Sequence, residues 1–373
     1  MQPDEELQQL AKDGLLRTLR PLESPTGPKV VREGRSLWNF ASNDYLGLAN
    51  DPRLIEAFKE GLDQFGAGSA ASRLITGTLP PHEHFEQQLA DAKGTESALM
   101  FSSGFATALG SIPAIVGKGD HIIVDKLSHA CLIDGARLSG ATLRVFPHNH
   151  VERLAELLVS IRSKSKERIL ILTESVFSMD GDLCPLREIV DLKDQHDALL
   201  LLDEAHGFGI LGPTGMGLAE ELGLQDRIDF HMGTLSKAAG LSGAYIACSG
   251  IWRDLLVNRA RSFIYSTAPP PALAHAASAA LKIIRSADDR RKALEENIRQ
   301  IQPSARTPII PLLLGDNEAA LSASALLADQ GFIVPAIRYP TVPRGTARLR
   351  ISLSATHPPA AVSKLADALP LLG

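Results

Sequence analysis

Asp203, His206 and Lys237 are the residues whose types and spacing most directly suggest chemistry. Asp203 closes the run Ala198-Leu-Leu-Leu-Leu-Asp203, His206 follows three residues later, and Lys237 ends Thr234-Leu-Ser-Lys237 after the next apolar run. A carboxylate behind four leucines is costly to leave unpaired in a dry interior, so it calls for a cationic or N–H partner. A protonated pyridine ring would be such a partner. Lys237 would then supply the amine for a Schiff base with the aldehyde of pyridoxal phosphate, which requires the deprotonated amine and is favoured by desolvation and nearby cations. His206 could hydrogen-bond the phenolic oxygen, and Asp203 would keep the ring nitrogen protonated so that the ring serves as an electron sink. Singly, a strand-end aspartate is usually a cap or turn residue and a lysine is usually solvated. Their conjunction in this order carries the reading.

Other segments add to that trio. Glu174-Ser-Val-Phe-Ser178-Met-Asp-Gly follows another buried run, which puts Glu174 and Ser178 at a strand's carboxyl end, where open parallel sheets bind ligands. In Ser102-Ser-Gly104-Phe105-Ala-Thr a strand turns through a glycine into a helix over 106–116. Backbone N–H groups at such a start bind phosphate, although alone the segment reads as an ordinary turn. His129 opens the next helix and is either a helix-start residue or a ring stacked on a cofactor. Gly207-Phe-Gly209-Ile-Leu-Gly212 matches a dinucleotide fingerprint, but a further glycine-rich stretch follows where a helix would have to begin, so a dehydrogenase is disfavoured. His82-Glu-His84 lacks metal-site spacing and reads as a helix start on the surface, and Cys131, Cys184 and Cys248 form no CxxC pair. No metal site is expected.

The elements that must position these residues are legible as alternation. Seven short apolar runs, at 97–101, 121–125, 142–146, 168–173, 198–203, 228–233 and 243–248, are separated by amphipathic stretches such as 150–162 and 185–196. This is the pattern of an α/β fold with a mostly parallel seven-stranded sheet. Beyond Cys248 the pattern becomes helical to about Gln302. Strands at 308–314 and 347–353 around a helix near 321–330 then suggest a small α+β module. The expected divisions are an amino-terminal arm over 1–42 with one helix, a large cofactor domain over 43–265 and a small carboxyl-terminal domain over 266–373.

The chain has 373 residues, 45% hydrophobic, with 38 Lys+Arg against 43 Asp+Glu, a formal net charge of −5. That length suggests about two domains. The slightly acidic balance argues against a nucleic-acid partner, and no window reaches the roughly 18 apolar residues of a membrane span. An acidic start without an apolar run reads as an uncleaved cytoplasmic protein.

Motifs spread from about residue 40 to 357 make the chain similar to a known family. Ser42-Asn-Asp-Tyr-Leu-Gly47, Gly66-Ala-Gly68-Ser, Phe101-Ser-Ser-Gly-Phe105, Leu127-Ser-His-Ala130, Thr173-Glu-Ser-Val-Phe-Ser-Met-Asp-Gly181, Asp203-Glu-Ala-His-Gly207, Thr234-Leu-Ser-Lys237, Ile264-Tyr-Ser-Thr267 and the segment 340–350 resemble the α-oxoamine synthases, pyridoxal-phosphate enzymes of the aspartate aminotransferase fold. The resemblance implies that Lys237 forms the Schiff base, Asp203 meets the ring nitrogen, His206 meets the phenolic oxygen and His129 stacks on the ring. It places Gly104, Phe105, Glu174, Ser178 and Thr234 at the cofactor. Arg350 would take the amino-acid carboxylate with Asn43 beside it, and Arg17, Arg338 and Thr341 would serve the acyl substrate. It further implies a homodimer with the site at the interface, where Ser266 and Thr267 reach the partner's cofactor phosphate. Ala336-Ile-Arg338-Tyr-Pro-Thr341 and Ala347-Arg-Leu-Arg350 through His357 are most similar to the members that condense L-alanine with a pimeloyl thioester, carried by coenzyme A (pimeloyl-CoA) or by a carrier protein (pimeloyl-ACP), for biotin. Glycine C-acetyltransferase, 5-aminolevulinate synthase and serine palmitoyltransferase share the same catalytic motifs. A transaminating relative and a non-catalytic binding protein are the remaining alternatives. Ala70-Ala71 departs from the family, which often carries glycine there.

Overall fold

The structure, a computed structural model, describes residues 2–372. Its contacts define two compact units. One comprises residues 51–178 and 182–288, the other residues up to 50, 179–181 and those from 289 onward.

The first unit is built on a seven-stranded sheet whose order in space is Ser97–Phe101, Ala244–Cys248, Phe230–Thr234, Leu199–Asp203, Ile169–Glu174, His121–Asp125, Thr142–Phe146. Of these seven, Ala244–Cys248 alone runs antiparallel to its neighbours. All seven expected runs are therefore strands of one sheet. Ile169–Glu174 is buried along its whole length, as a strand covered on both faces must be. Its register with the next strand sets Leu172 beside Leu201 and, at the carboxyl ends, Glu174 beside Asp203.

Two helices that begin at that edge of the sheet, Gly104–Ile115 and Ala130–Ser139, pack closely. A Cβ on Gly135 would stand 2.8 Å from the Ala108 carbonyl oxygen, so glycine is required for this approach. The helix Pro271–Arg285 also belongs to this unit. It carries Ala272, Ala276, Ala277 and Ala280 inward and packs on Pro52–Phe65, where a Cβ on Gly61 would meet Ala272 Cα at 2.8 Å. The contacts thus divide the chain near residue 288 rather than at 265, because this small-residue helix face finds its packing partner among residues 52–65. His82, expected on the surface, is instead fully buried: its Nε2 lies 2.8 Å from the Pro269 carbonyl oxygen and its Nδ1 accepts the Leu79 N–H. Ala70 takes a φ of +53°, a left-handed backbone that glycine adopts without strain.

The other unit holds two three-stranded sheets. Lys29–Arg32 and Arg35–Asn39 form a hairpin, and Phe332–Ile333 adds to it in parallel. Ile309–Gly315, Ala347–Ser352 and Ala336–Ile337 form the second, antiparallel sheet. The hairpin was not expected within the amino-terminal arm. Its pairing with Phe332–Ile333 is what joins residues up to 50 to the carboxyl-terminal part in one unit, in place of a separate arm over 1–42. No helix of the described residues is long and apolar enough to cross a membrane.

Candidate active site

At the carboxyl edge of the seven-stranded sheet lies a cavity of about 200 Å³. Its floor is formed by the strand ends. Asp203 and Glu174 terminate neighbouring parallel strands, and both face it while almost fully buried. Two carboxyls placed side by side in a desolvated site resist ionising together. Burial, then the charge of Asp203, raises Glu174 to about 8; burial also raises Asp203, against the opposing pull of Lys237. Asp203 Oδ1 accepts the Ala205 N–H at 2.9 Å, and Glu174 Oε1 accepts the backbone N–H of His129. The second bond joins the strand end at 174 to the start of Ala130–Ser139.

Lys237 stands on the loop after Phe230–Thr234. Its Nζ lies 2.7 Å from His206 Nε2, so amine and imidazole share one hydrogen bond beside the two carboxyls. Thr234, at the end of that strand, donates to Gly243 O at 3.0 Å and accepts the Ser236 N–H, which pins the turn that carries Lys237. Gly233 is obligatory in this strand, because a Cβ would fall 2.4 Å from the Tyr245 hydroxyl oxygen.

The walls come from the two closely packed helices. Ser103 caps Gly104–Ile115 by accepting the Ala106 N–H at 3.1 Å, and the space over Gly104 is open, the nearest atom to a Cβ there being the Met232 methyl at 3.9 Å. His129 is the N-cap of the next helix. Its Nδ1 accepts the Cys131 N–H at 3.2 Å and lies 3.0 Å from Cys131 Sγ, so the ring's orientation is set locally. Desolvation of the ring lowers its pKa, with Asp203 opposing, which favours a neutral imidazole suited to stacking.

Gly104, Phe105, His129, Glu174, Asp203, His206, Thr234 and Lys237 therefore line one cavity. Sequence reasoning missed Cys131, Ala205, Met232, Gly233 and Ser236, which line it too. Ser236 sits inside the Thr234–Lys237 motif and Ala205 inside Asp203–His206, so the motifs themselves were the signal. Ser178 is buried after Ile169–Glu174 but does not line the cavity, nor do Ser266 and Thr267, of which Thr267 bridges to Ser72.

Of the residues expected at the substrate, His129 lines the cavity, while Arg17, Asn43, Arg338, Thr341 and Arg350 lie in the other unit. Arg350 is buried on Ala347–Ser352 and donates to Asn43 Oδ1 at 3.1 Å and Ser352 Oγ at 2.6 Å. Arg17 Nη2 donates to Thr341 Oγ1 at 3.2 Å, and Arg338 donates to Gly14 O. Burial, then the nearby Arg17 charge, lowers the pKa of Arg338, so two cations stand close together.

The residues of the cavity fit pyridoxal phosphate. Paired buried carboxyls favour a cationic ring, an amine stands beside them, and an open helix start without a Cβ is suited to phosphate.

Comparison with known proteins agrees. Residues 35–369 match the family described as aminotransferase class I and II. The 8-amino-7-oxononanoate synthase of Anaeromyxobacter dehalogenans is 47% identical over 98% of this chain and 93% of its own length, and that of Geobacter sulfurreducens 45% over 99% and 97%. Among solved structures, serine palmitoyltransferase of Sphingomonas wittichii superposes with a TM-score of 0.90 at 32% identity, covering 99% of this chain and 96% of its own. A serine palmitoyltransferase holding pyridoxal phosphate gives 0.93 at 32% identity over 99% and 96%. The 8-amino-7-oxononanoate synthase of Francisella tularensis gives 0.77 at 29% identity over 90% and 96%. The chain belongs to the class I and II aminotransferase family of pyridoxal-phosphate enzymes, and within it to the 8-amino-7-oxononanoate synthases.

Proposed function

We propose that the chain condenses L-alanine with a pimeloyl thioester, releasing carbon dioxide and free thiol and forming 8-amino-7-oxononanoate for biotin biosynthesis. The observation that carries this reading is the Asp203, His206 and Lys237 group in one cavity of a chain that matches 8-amino-7-oxononanoate synthases over nearly their whole length.

When bound, pyridoxal phosphate supplies a protonated ring that draws in the electron pair left at the α-carbon of the amino acid. Lys237 would hold the cofactor through its amine and, when that amine is free, would serve as the general base for the α-proton. Asp203 would keep the ring nitrogen protonated, and its burial would make that ionic contact strong. His206, bonded to Lys237 Nζ, would meet the cofactor's phenolic oxygen, and the ring of His129 would stack on the cofactor. The N–H groups at Gly104 and Phe105 would take the phosphate, with Thr234 beside the cofactor on the same cavity wall. Glu174 orients His129 through its backbone N–H. Arg350 binds the alanine carboxylate, because a guanidinium fork can meet both oxygens in one plane, and Asn43 steadies it. Arg17, Arg338 and Thr341 receive the distal carboxylate of the pimeloyl chain. The chain works as a homodimer in which Ser266 and Thr267 reach the partner subunit's cofactor phosphate, and it works in the cytoplasm.

The test is thiol and carbon dioxide release with L-alanine and pimeloyl-CoA or the pimeloyl carrier protein, set against glycine with acetyl-CoA, glycine with succinyl-CoA and serine with palmitoyl-CoA. Turnover is expected with alanine and pimeloyl thioester. Preference for another pair would reassign the substrate, and amino-group transfer without thiol release would reassign the reaction.

A further inference from the structure

Beneath the cavity lies a charged cluster that the proposed chemistry does not use. Glu204 follows Asp203, and successive side chains of an extended chain leave on opposite sides. Asp203 therefore lines the cavity while Glu204 is fully enclosed. Glu204 Oε2 accepts from Lys93 Nζ at 2.6 Å, Oε1 accepts the Ala219 N–H at 3.1 Å, and its own N–H donates to Met232 O at 2.8 Å. Lys93, the last residue of the helix Pro80–Lys93, is equally enclosed and also donates to Met216 O at 2.5 Å. Gly217 comes so close that a Cβ there would fall 2.2 Å from Glu204 Oε1. One ion pair thus fastens a helix end, the strand end at Asp203 and the glycine-rich loop after His206.

The other titratable groups facing the pair are few. His231 Nδ1 lies 3.7 Å from Glu204 Oε2 while its Nε2 is held at Gln225 O, the Tyr245 ring lies 5.6 Å from Lys93 Nζ, and the Cys184 thiol feels the Glu204 charge. Burial alone would raise the Glu204 carboxyl, but Lys93 and then His231 hold it down at about 2, so it is an anion at neutral pH. Glu204 in turn acts to raise Asp203. Well-packed apolar residues often replace a buried ion pair without loss of stability, so a need for stability alone does not account for this one. Its place one residue from the ring-binding carboxylate does.

We propose that Lys93 is a positioning residue: by binding and neutralising Glu204 it anchors the Asp203–His206 turn and shields the ring-binding carboxylate from a second negative charge. This rests on the cofactor reading given under Proposed function.

The test compares wild-type holoenzyme with Lys93→Met, Glu204→Gln and the double variant. It measures pyridoxal phosphate affinity, the pH midpoint of the cofactor's visible band and thermal unfolding of the cofactor-free protein. The band reports the proton on the nitrogen joining Lys237 to the cofactor, and added negative charge nearby favours that proton. Glu204→Gln is expected to lower the midpoint by about half a unit or more, and Lys93→Met to raise it in so far as Glu204, with His231 still beside it, stays ionised, with the double variant returning toward wild type. Cofactor affinity is expected to fall about tenfold in Lys93→Met. A merely structural pair would change the unfolding temperature and leave both midpoints at the wild-type value, which overturns the proposal. If Lys93→Met does not fold, Glu204→Gln decides: its amide keeps the carboxylate's shape, a lowered midpoint supports the proposal and an unmoved one sinks it. A wild type with no visible band at all would defeat the cofactor reading itself, a result distinct from matching bands in wild type and variants.

Discussion

The carboxyl edge of the seven-stranded sheet and the arginines of the other unit hold charge in opposite ways. At the sheet edge two acids are fixed by strand register: Glu174 and Asp203 are partners on neighbouring parallel strands, and neither can withdraw without breaking the ladder. In the other unit the charged residues expected at the substrate are arginines, held through their side chains. Arg350 donates to an amide and a hydroxyl oxygen, Arg17 to a threonine hydroxyl and Arg338 to a backbone carbonyl, whereas Arg348, two residues from Arg350, is bound to the Asp180 carboxylate at 2.6 Å. The difference teaches what each set is suited to receive. Rigid buried acids suit a permanent cationic ring, and an exposed guanidinium such as that of Arg17, resting on a threonine hydroxyl, suits an anion that comes and goes with each turnover.

The sharpest way to break the first half of that comparison is Lys237→Ala. Loss of the amine placed beside the paired acids is expected to lower turnover on the order of 10³-fold or more, with a folded protein that still retains pyridoxal phosphate. Borohydride reduction followed by mass measurement checks it: a reducible adduct and preserved thiol release in the variant would remove Lys237 from the role.

Asp203→Asn comes next. A neutral amide cannot hold the ring nitrogen protonated, so loss of α-proton exchange should exceed loss of cofactor binding, roughly 10²-fold against a few-fold. Deuterium incorporation into alanine from heavy water, measured without the acyl substrate, separates the two effects. Near wild-type exchange would mean that the ring's charge is maintained elsewhere.

Glu174→Gln probes the strained acid pair through stability. The folded pKa of Glu174, about 8, lies above its ordinary value of 4.5, so folding takes up a proton between these values. Its contribution is accordingly most favourable below about pH 4.5 and is lost as pH rises towards about 8. In the cofactor-free protein, the stability difference between Glu174→Gln and wild type should grow in the variant's favour over that interval. Denaturant unfolding at several pH values measures it, and a pH-independent difference would mean that Asp203 and Glu174 are not in electrostatic conflict.

How much of this was legible beforehand varied with the range of the interactions. Six of the seven strands could be read because burial on both faces leaves nearly continuous apolar runs, whereas Thr142–Phe146, at the sheet's edge, is partly exposed and could be read only from its β-branched and aliphatic residues; most cavity residues could be read because they follow such runs directly. The hairpin Lys29–Asn39 was harder to see, since Lys29, Arg32 and Arg35 interrupt its apolar residues. The tight turn Glu33-Gly34, where both residues take positive φ, was the available signal. His82 could not be placed, because the carbonyl that accepts it is 187 residues away. The same holds for Lys93 and Glu204, 111 residues apart, and for the packing of Gly61 on Ala272. Cys131 was missed because its position in the cap of His129 depends on the path of one turn.

Arg17→Ala tests the other half of the comparison and carries the smallest expected effect. The Arg17 side chain is exposed and its bond to Thr341 is long, at 3.2 Å. Such a restraint is weak, so little stability should be lost. Its cost should appear only with a substrate bearing an anion for it to meet. Pimelate differs from a simple fatty chain by its distal carboxylate, which enters a protein site cheaply only where a cation receives it. Arg338 stands close enough to feel the Arg17 charge, so an incoming carboxylate would relieve repulsion between two cations as well as gain a hydrogen bond. The KM for pimeloyl-CoA is therefore expected to rise about tenfold, in line with the loss of one charge-assisted hydrogen bond, while the KM for alanine stays unchanged. An uncharged acyl-CoA of similar length serves as control and should respond equally poorly to wild type and variant. Equal losses on both thioesters would show that Arg17 supports the fold or the coenzyme rather than the acyl terminus. No loss on either would remove it from the substrate site and leave Arg338 to be tested in its place.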